Sequence, residues 1–444
     1  MRKVFMRLRL FIFGLVMHCA CSGLVSAQSG DISAESLRPQ ELQDATSINA
    51  IASDLLLARL EYGSQSNAMI SSVSLYYALA LLSEGAGTTT RDLLNRRLLQ
   101  NSDTELSEVA PALAKAISSP FLEGVSQGAF SLSSSLWAHS GNDSPPACQQ
   151  RTDAFEFKDT FLKQAASLYN AGDRSLDFVS PESPGVINSW VEEQTRGLVQ
   201  KVINQKTLEC LDWAIINAAT FEGAWAISAR RLPIYDGYRF VNVEGNLQPA
   251  ETFRSNDHIA PVADFADGSS AFELPFSGGK YSFIVHMPSS DTDDVWSWLL
   301  QDSIPGAQEV IAAVLSNTGA LNELTIQMPV FAFNDAVEMT ATSQLPKAMG
   351  IEGLFSQSAD FGRMSELPSY VRLIKQDTRL ELDEKGVKAA AVTVVLGKVG
   401  VTSVRRSYPR REIIVDRPFS FAIVERSTGT MLFNGVVTSI DSAD

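Results

Sequence analysis

Histidine is scarce in this chain of 444 residues: there are four, and only His139, His258 and His286 lie beyond the N-terminal segment. Cysteine is equally scarce, with Cys19 and Cys21 near the start and Cys148 and Cys210 far apart in the body. Ligands this few and scattered exclude a zinc-type site, and no cofactor motif replaces it. Beyond the N-terminus no apolar run approaches the roughly 20 residues needed to cross a bilayer. Positive charge is also short, with 36 Lys and Arg against 51 Asp and Glu and a net charge of −15. Nucleic acid, anionic membrane and heparin all need a positive field that such a chain does not supply. What is present is an ordinary apolar fraction of 45%, enough for a full core and against intrinsic disorder.

The first 27 residues have the three parts of an export signal. Arg2, Lys3, Arg7 and Arg9 are basic, Leu10 to Met17 is apolar, and Val25-Ser26-Ala27 puts small residues where a signal peptidase reads. The apolar run is about half the length of a membrane anchor. Cys21 leaves a lipid-modified N-terminus open, although the residues before it fit poorly. The expectation is a signal peptide over 1–27, a mature chain over 28–444, and secretion to the extracellular space. Losing four basic groups gives 32 − 51 = −19. Cys148 and Cys210 then remain; an oxidising compartment would permit a disulfide, but spacing alone cannot bring them within bonding distance. The Asn142-Asp143-Ser144 sequon is weakened by Pro145.

Periodicity mixes helices and strands without a repeat. Residues 40–61 have helical spacing, with Leu42, Ile48, Ile51, Leu55 and Leu56 on one face. Residues 74–83 read as a buried helix stopping at Gly85, and 188–203 as an amphipathic helix. Strands are expected at 129–137, 213–221, 281–287, 323–333 and 380–384, a loop at 138–153, and a C-terminal hairpin over 419–425 and 430–437. No linker divides the chain, so one large α+β domain is expected. Gly124-Val125-Ser126-Gln127-Gly128 matches a hydrolase nucleophile elbow by pattern. That motif works only as a sharp strand-to-helix turn, and here a strand-like stretch follows, so a surface turn is the expectation and no enzyme is assigned.

Residues 380–418 are the informative stretch. After Leu380–Glu384 and Gly386 comes Val387-Lys388-Ala389-Ala390-Ala391-Val392-Thr393-Val394-Val395-Leu396-Gly397, small side chains with one charge and no proline. Its Val, Thr and Leu tail favours an extended conformation. Lys398, Arg405, Arg406, Arg410 and Arg411 then mark an exposed, protease-attractive loop. A sheet-competent segment is tethered to a cleavage site.

These residues resemble the serpins, the serine protease inhibitor family, and the resemblance covers about residues 40–440. Asn67 to Ser74 is similar to the family's shutter, with Ser72 where proline is usual; Ser71, Ser74 and Gln376 are the implied shutter residues. Ile187 to Glu192 with Thr195 and Gly197 is similar to the helix lying across the main sheet. Asn217 to Trp225 resembles the strand ending in the breach tryptophan, Trp225. Glu273 to Phe276, Leu345 to Gly350 and Leu354-Phe355 match further segments, and Asp416 to Phe419 with Thr428 to Gly435 matches the C-terminal signature. Asp383 to Gly386 followed by Ala389-Ala390-Ala391 resembles the hinge of the reactive loop.

The resemblance implies a serpin fold with a central sheet, two smaller sheets, surrounding helices and a reactive loop over about 384–412. It implies an inhibitor that is cleaved, forms an acyl-enzyme and inserts its loop as a new strand, with a carrier or chaperone as the alternative. The hinge would comprise Glu384, Gly386, Val387, Ala389, Ala390, Ala391 and Thr393. Counting forward from Glu384 places the reactive bond at Gly400-Val401; counting back from Pro418 places it at Arg406-Ser407, because this loop is about six residues longer than usual. The expected partner is a target protease, serine-type with cysteine-type open, met by a monomer. The sparse basic groups Arg91, Arg96 and Arg97 argue against heparin.

Overall fold

The C-terminal hairpin sets the architecture, because residues 419–425 and 430–437 are buried on both faces, with Ser420 alone half-buried, and must be covered twice. The computed structural model describes residues 39–440 except 64, 100–104, 122–126, 142, 144, 146–147, 149–152, 291, 293, 301–305, 317–319 and 388–407. The expected export segment, Ser126, Asn142, Ser144, the expected hinge residues Ala389, Ala390, Ala391 and Thr393, and both candidate reactive bonds therefore lie outside the described residues.

The helices are α1 (Pro39–Tyr62), α2 (Ser72–Gly85), α3 (Thr88–Leu99), α4 (Leu106–Ile117), α5 (Asp159–Tyr169), α6 (Ser183–Gln194), α7 (Gln205–Leu208), α8 (Val295–Leu300), α9 (Ala307–Leu315) and α10 (Leu345–Ala348). The strands are β1 (Ala68–Ile70), β2 (Ala129–His139), β3 (Gly172–Leu176), β4 (Trp213–Ala224), β5 (Ala229–Leu232), β6 (Phe240–Val241), β7 (Leu247–Gln248), β8 (Thr252–Ser255) and β9 (His258–Asp264). They continue as β10 (Ser270–Pro275), β11 (Tyr281–Met287), β12 (Ala320–Pro329), β13 (Phe331–Met339), β14 (Ile374–Leu382), β15 (Gly386–Val387), β16 (Arg410–Ile414), β17 (Phe419–Glu425) and β18 (Thr430–Val437).

Six strands form one sheet in the order β13-β14-β15-β4-β2-β3. A ten-stranded sheet runs β1-β18-β17-β11-β10-β9-β12-β8-β5, with β16 paired to β12, and β6-β7 is a separate hairpin. The two further sheets expected beside the central one thus run into each other through β12. Burial follows these layers: every residue of β11 and β18 is buried, while β13 alternates between inside and outside. The buried helix α2 packs between β4 and β18.

Several expected elements form almost as read, including α1, α2, β2, β11 and the β17-β18 hairpin. Ile48, Ile51, Leu55 and Leu56 do face the core; the side chain of Leu42 is not among those described. β2 runs on to His139, so the loop begins later than expected. Three expectations are corrected. The strand expected over 380–384 ends at Leu382, where the Asp383 side chain turns the chain. The helix expected over 188–203 ends at Gln194. Thr195 Oγ1 donates to the Val191 carbonyl at 2.8 Å and accepts from the Val199 amide at 3.0 Å, and Arg196 and Gly197 take positive φ of 52° and 80°. The Asn188 side chain then ties the returning chain, accepting from the Val202 and Ile203 amides. Val199, Val202 and Ile203 therefore join the same apolar cluster as the helix, which is why their spacing looked helical. The strand expected over 323–333 is two strands: β12 ends at Pro329 in the ten-stranded sheet, and one residue later β13 starts in the six-stranded sheet.

Candidate functional site

The hinge region folds into a turn that delivers two residues into the six-stranded sheet. Asp383 Oδ1 accepts from the Lys385 amide at 2.8 Å and the Gly386 amide at 3.2 Å, an Asx-type turn that reverses the chain after β14. Gly386 and Val387 then run antiparallel between two neighbours, with Leu382 opposite Val387 on one side and Ala224 and Gly223 opposite Gly386 and Val387 on the other. Gly386 has φ of 151°, and a Cβ there would sit 2.0 Å from the Gly223 carbonyl oxygen, so only glycine fits. Val387 is 4% exposed and belongs to the core. Glu384 faces Arg231 of β5 at 3.5 Å, and Arg231 also binds Glu251 at 2.8 Å.

Trp225 closes this end of the sheet. Its Nε1 donates to the Asp383 carbonyl at 2.9 Å and its amide to the Lys385 carbonyl at 2.8 Å. The ring stacks on Phe276 with centroids 4.8 Å apart and meets Phe253 and Phe283. Backbone and aromatic contacts together lock the hinge turn against the ten-stranded sheet.

Further along the same sheet, polar side chains take over. Gln376 of β14 and Ser71, which precedes α2, exchange two bonds: the Ser71 amide donates to Gln376 Oε1 and Gln376 Nε2 donates to the Ser71 carbonyl, both at 2.9 Å. The Ser74 carbonyl accepts from Asn217 Nδ2 of β4 at 3.4 Å. The start of α2 therefore touches both β14 and β4, the strands flanking β15. Among the described residues no ladder joins those two strands, and a cavity of about 150 Å3 lies between them over α2. Asp377, which lines it, has its pKa pushed up to about 6 by burial, against the pull of Lys375 and with Glu338 and Asp335 adding to the rise.

The structure thus brings Ser71, Ser74 and Gln376 together at one place and Glu384, Gly386, Val387 and Trp225 at another. Asn217 and Arg231 were not singled out from sequence. An asparagine inside the otherwise apolar Trp213–Phe221 run was a usable signal; Arg231 has none, since its partner is 153 positions away. Cys148 and Cys210 form a disulfide with Cα atoms 5.3 Å apart, joining the loop after β2 to the segment between α7 and β4. Gly128 leads directly into β2 rather than a helix, so the helix that should follow a nucleophile elbow is absent after Gly128; Ser126 itself lies outside the described residues. No metal-ligand cluster occurs and no helix is long and apolar enough to cross a membrane, both among the described residues.

A two-residue strand seated antiparallel to both of its neighbours, with a tryptophan at one end and a serine-bearing helix start further along, is the arrangement that the resemblance implied. The family model described as serpin, serine protease inhibitor, matches residues 46–440, and the chain belongs to that family. It is similar to Serpin-ZXA of Oryza sativa subsp. japonica, at 26% identity over 85% of this chain and 91% of the relative. In fold it is similar to the native thermophilic serpin tengpin, with a TM-score of 0.68 at 22% identity, covering 89% of this chain and 94% of that one. A complex of thyroxine-binding globulin with thyroxine also matches, with a TM-score of 0.69 at 20% identity over 89% and 99% of the two chains. At these identities the solved structures speak for the fold alone.

Proposed function

We propose that this chain is a secreted, monomeric inhibitor that traps its target protease by being cut. A protease cuts within residues 388–407, the acyl-enzyme forms, and the freed segment enters the six-stranded sheet between β14 and β4. The observation that carries this reading is the seating of Gly386 and Val387 between those strands. Continuing the same antiparallel register puts Ala389 opposite Leu380 and Phe221, Ala391 opposite Thr378 and Ala219, and Thr393 opposite Gln376 and Asn217. All three are small and face the core side with Val387. Lys388 would meet Glu381 and Glu222 on the outer side, and Lys398 would meet Asp212. About a dozen inserted residues gain roughly one backbone bond each, on the order of 10 kcal/mol in all.

The reactive bond in this reading is Gly400-Val401, since Lys398 at the far carboxylate leaves little of the segment uninserted. Arg406-Ser407 remains the alternative bond and suits a trypsin-like enzyme. The target is a serine-type protease, with a cysteine-type one as the variant. The Cys148–Cys210 disulfide supports an oxidising, extracellular location and the signal peptide at 1–27. Arg91 faces Glu84 and Glu105, and Arg97 faces Asp54, which supports the reading that heparin is not a regulator.

A carrier function is the second reading, since the same fold is found in thyroxine-binding globulin in complex with thyroxine. Incubation with a protease panel and denaturing gels separates the two. The inhibitor gives a band at the combined mass and releases a C-terminal peptide that begins at Val401; a peptide beginning at Ser407 moves the bond. A carrier gives no covalent band and melts no higher after loop cleavage.

A further inference from the structure

Strand alternation puts Asp377 on the opposite face of β14 from its two neighbours. Gln376 reaches Ser71 ahead of α2, and Thr378 Oγ1 donates to the Met69 carbonyl at 3.1 Å, so both face the core. Asp377 projects to the other face, where the cavity between β14 and β4 is walled by Val191 of α6 and by Thr195, Val199, Val202 and Ile203 of the chain returning from it. None of those side chains carries a charge. Asp377 Oδ2 is buried there with no hydrogen-bond partner among the described residues, and the side chain as a whole is 16% exposed.

The charges around Asp377 compensate it only in part. On its own strand Lys375 lies 3.5 Å from Oδ1, but the same ammonium serves Glu338 of β13 at 3.1 Å, so two carboxylates share one cation. Arg379, two residues further on, is taken by Glu381. Asp335 of β13 is held by Arg59 and the Met69 amide. The segment entering β4 lines the cavity with Asp212, and α2 lines it with uncharged side chains. Arg372, whose guanidinium lies over the Tyr370 ring, and the Tyr370 phenol complete the titratable lining. Burial is the largest influence and lifts the Asp377 pKa to about 6.

We propose that Asp377 is an acid-releasable brake on strand entry: a segment entering between β14 and β4 covers this carboxyl, and does so readily only when the carboxyl is neutral. Entry is therefore faster at mildly acidic pH than at neutral pH. A strand in the slot fills the cavity and excludes the water that still reaches Asp377. Its backbone groups bond the flanking strands in the plane of the sheet and offer nothing to a side chain on the outer face. At pH 7.5 entry must either bury an anion beside a shared cation or take a proton from solvent; at pH 5.5 most molecules already hold that proton. Proton affinity is raised in the open slot and raised further once the slot is filled, so a proton bound in advance favours entry, and the advantage fades as the pH climbs past about 6. Lys375 keeps Glu338 in either state, so neutralising Asp377 strands no cation. The inference rests on the inhibitor reading, because it concerns the step in which the freed segment enters the sheet.

A synthetic peptide with the sequence of residues 387–398, capped at both ends, has no group that titrates between pH 5 and 8 and separates this step from the pH dependence of any protease. Its incorporation into the intact full chain is followed on native gels, and by the rise in melting temperature, at pH 5.5 and 7.5. Incorporation about tenfold faster at pH 5.5 is expected for the unaltered chain. Asp377→Asn should take up the peptide at the fast rate at both pH values. Lys375→Met, which leaves Asp377 without its cation, should move the rise in rate to higher pH. Equal rates at the two pH values in the unaltered chain overturn the brake and leave the inhibitor reading standing, as does a pH dependence that survives in Asp377→Asn. No incorporation at either pH, with no rise in melting temperature, overturns the strand-accepting reading and the brake with it. The pH profile of the unaltered chain decides even where a variant folds poorly.

Discussion

The two ends of the strand-accepting slot are held by different forces. At the hinge end, Trp225 is stacked on Phe276 and bonded to backbone carbonyls of the hinge itself. At the α2 end, Ser71, Gln376, Ser74 and Asn217 are joined by side-chain amides. Apolar contact and backbone bonding hold the hinge turn, and in the proposed insertion they are kept throughout. Amide and serine bonds can be handed over: an arriving backbone offers donors and acceptors of the same kind. One end therefore acts as an anchor and the other as an exchangeable latch.

The largest expected effect breaks the anchor. Trp225→Ala should cost on the order of 3–5 kcal/mol in the intact protein, read from denaturant unfolding; a loss no greater than a surface substitution would mean the ring is not the anchor. Gly386→Val comes next, at about 3 kcal/mol, because its Cβ meets the Gly223 carbonyl and its φ is one that valine avoids. The variant should be cut by protease without forming a covalent complex, as seen on denaturing gels. On the latch side, Gln376→Ala strands the buried Ser71 amide, while the Ser71 carbonyl keeps the Leu75 amide, and should cost about 2 kcal/mol. It should also speed spontaneous loop insertion, measured as loss of inhibitory activity on warming; unchanged kinetics would remove the latch role.

The pH dependence sharpens the comparison, because it belongs to the latch end alone. Asp377 has a folded-state pKa of about 6, above the usual carboxylate value, so the folded state binds its proton more tightly than the unfolded state. Stability from this group is greatest below about pH 4 and falls as the pH rises to about 6, after which the loss is complete. Asp377→Asn should match the unaltered protein at pH 4 and exceed it by roughly 1 kcal/mol at pH 7.5, allowing for solvent screening. Identical melting curves at both pH values would discard the assignment. The smallest effect is Arg231→Ala, which removes a half-exposed ion pair to Glu384 and should change stability by less than about 1 kcal/mol.

How much of this was legible from sequence depends on range. The β17-β18 hairpin is local, with turn residues between two apolar runs, and formed at the expected positions. The hinge turn was also local: Asp383 and Gly386 lie close enough to bond within one turn. The contacts that make a site are not local. Gln376 meets Ser71 across 305 positions, and neither residue's surroundings signal the other. The expected helix over 188–203 failed for a related reason: hydrophobic spacing reports which residues share a core, and a helix and the chain doubling back beside it can share one. The break between Pro329 and Val330 was hidden because both strands are apolar at the join.

That join has a mechanical consequence. Val330 alone separates a strand of the larger sheet from the outermost strand of the smaller one, and its amide is pinned to the Glu251 carbonyl at 2.9 Å. If the proposed insertion widens the slot by shifting β13 and β14 together while β12 stays in its ladder, this one residue must take up the displacement, so a rigid substitution there would stiffen the door without touching either its handle or its bolt.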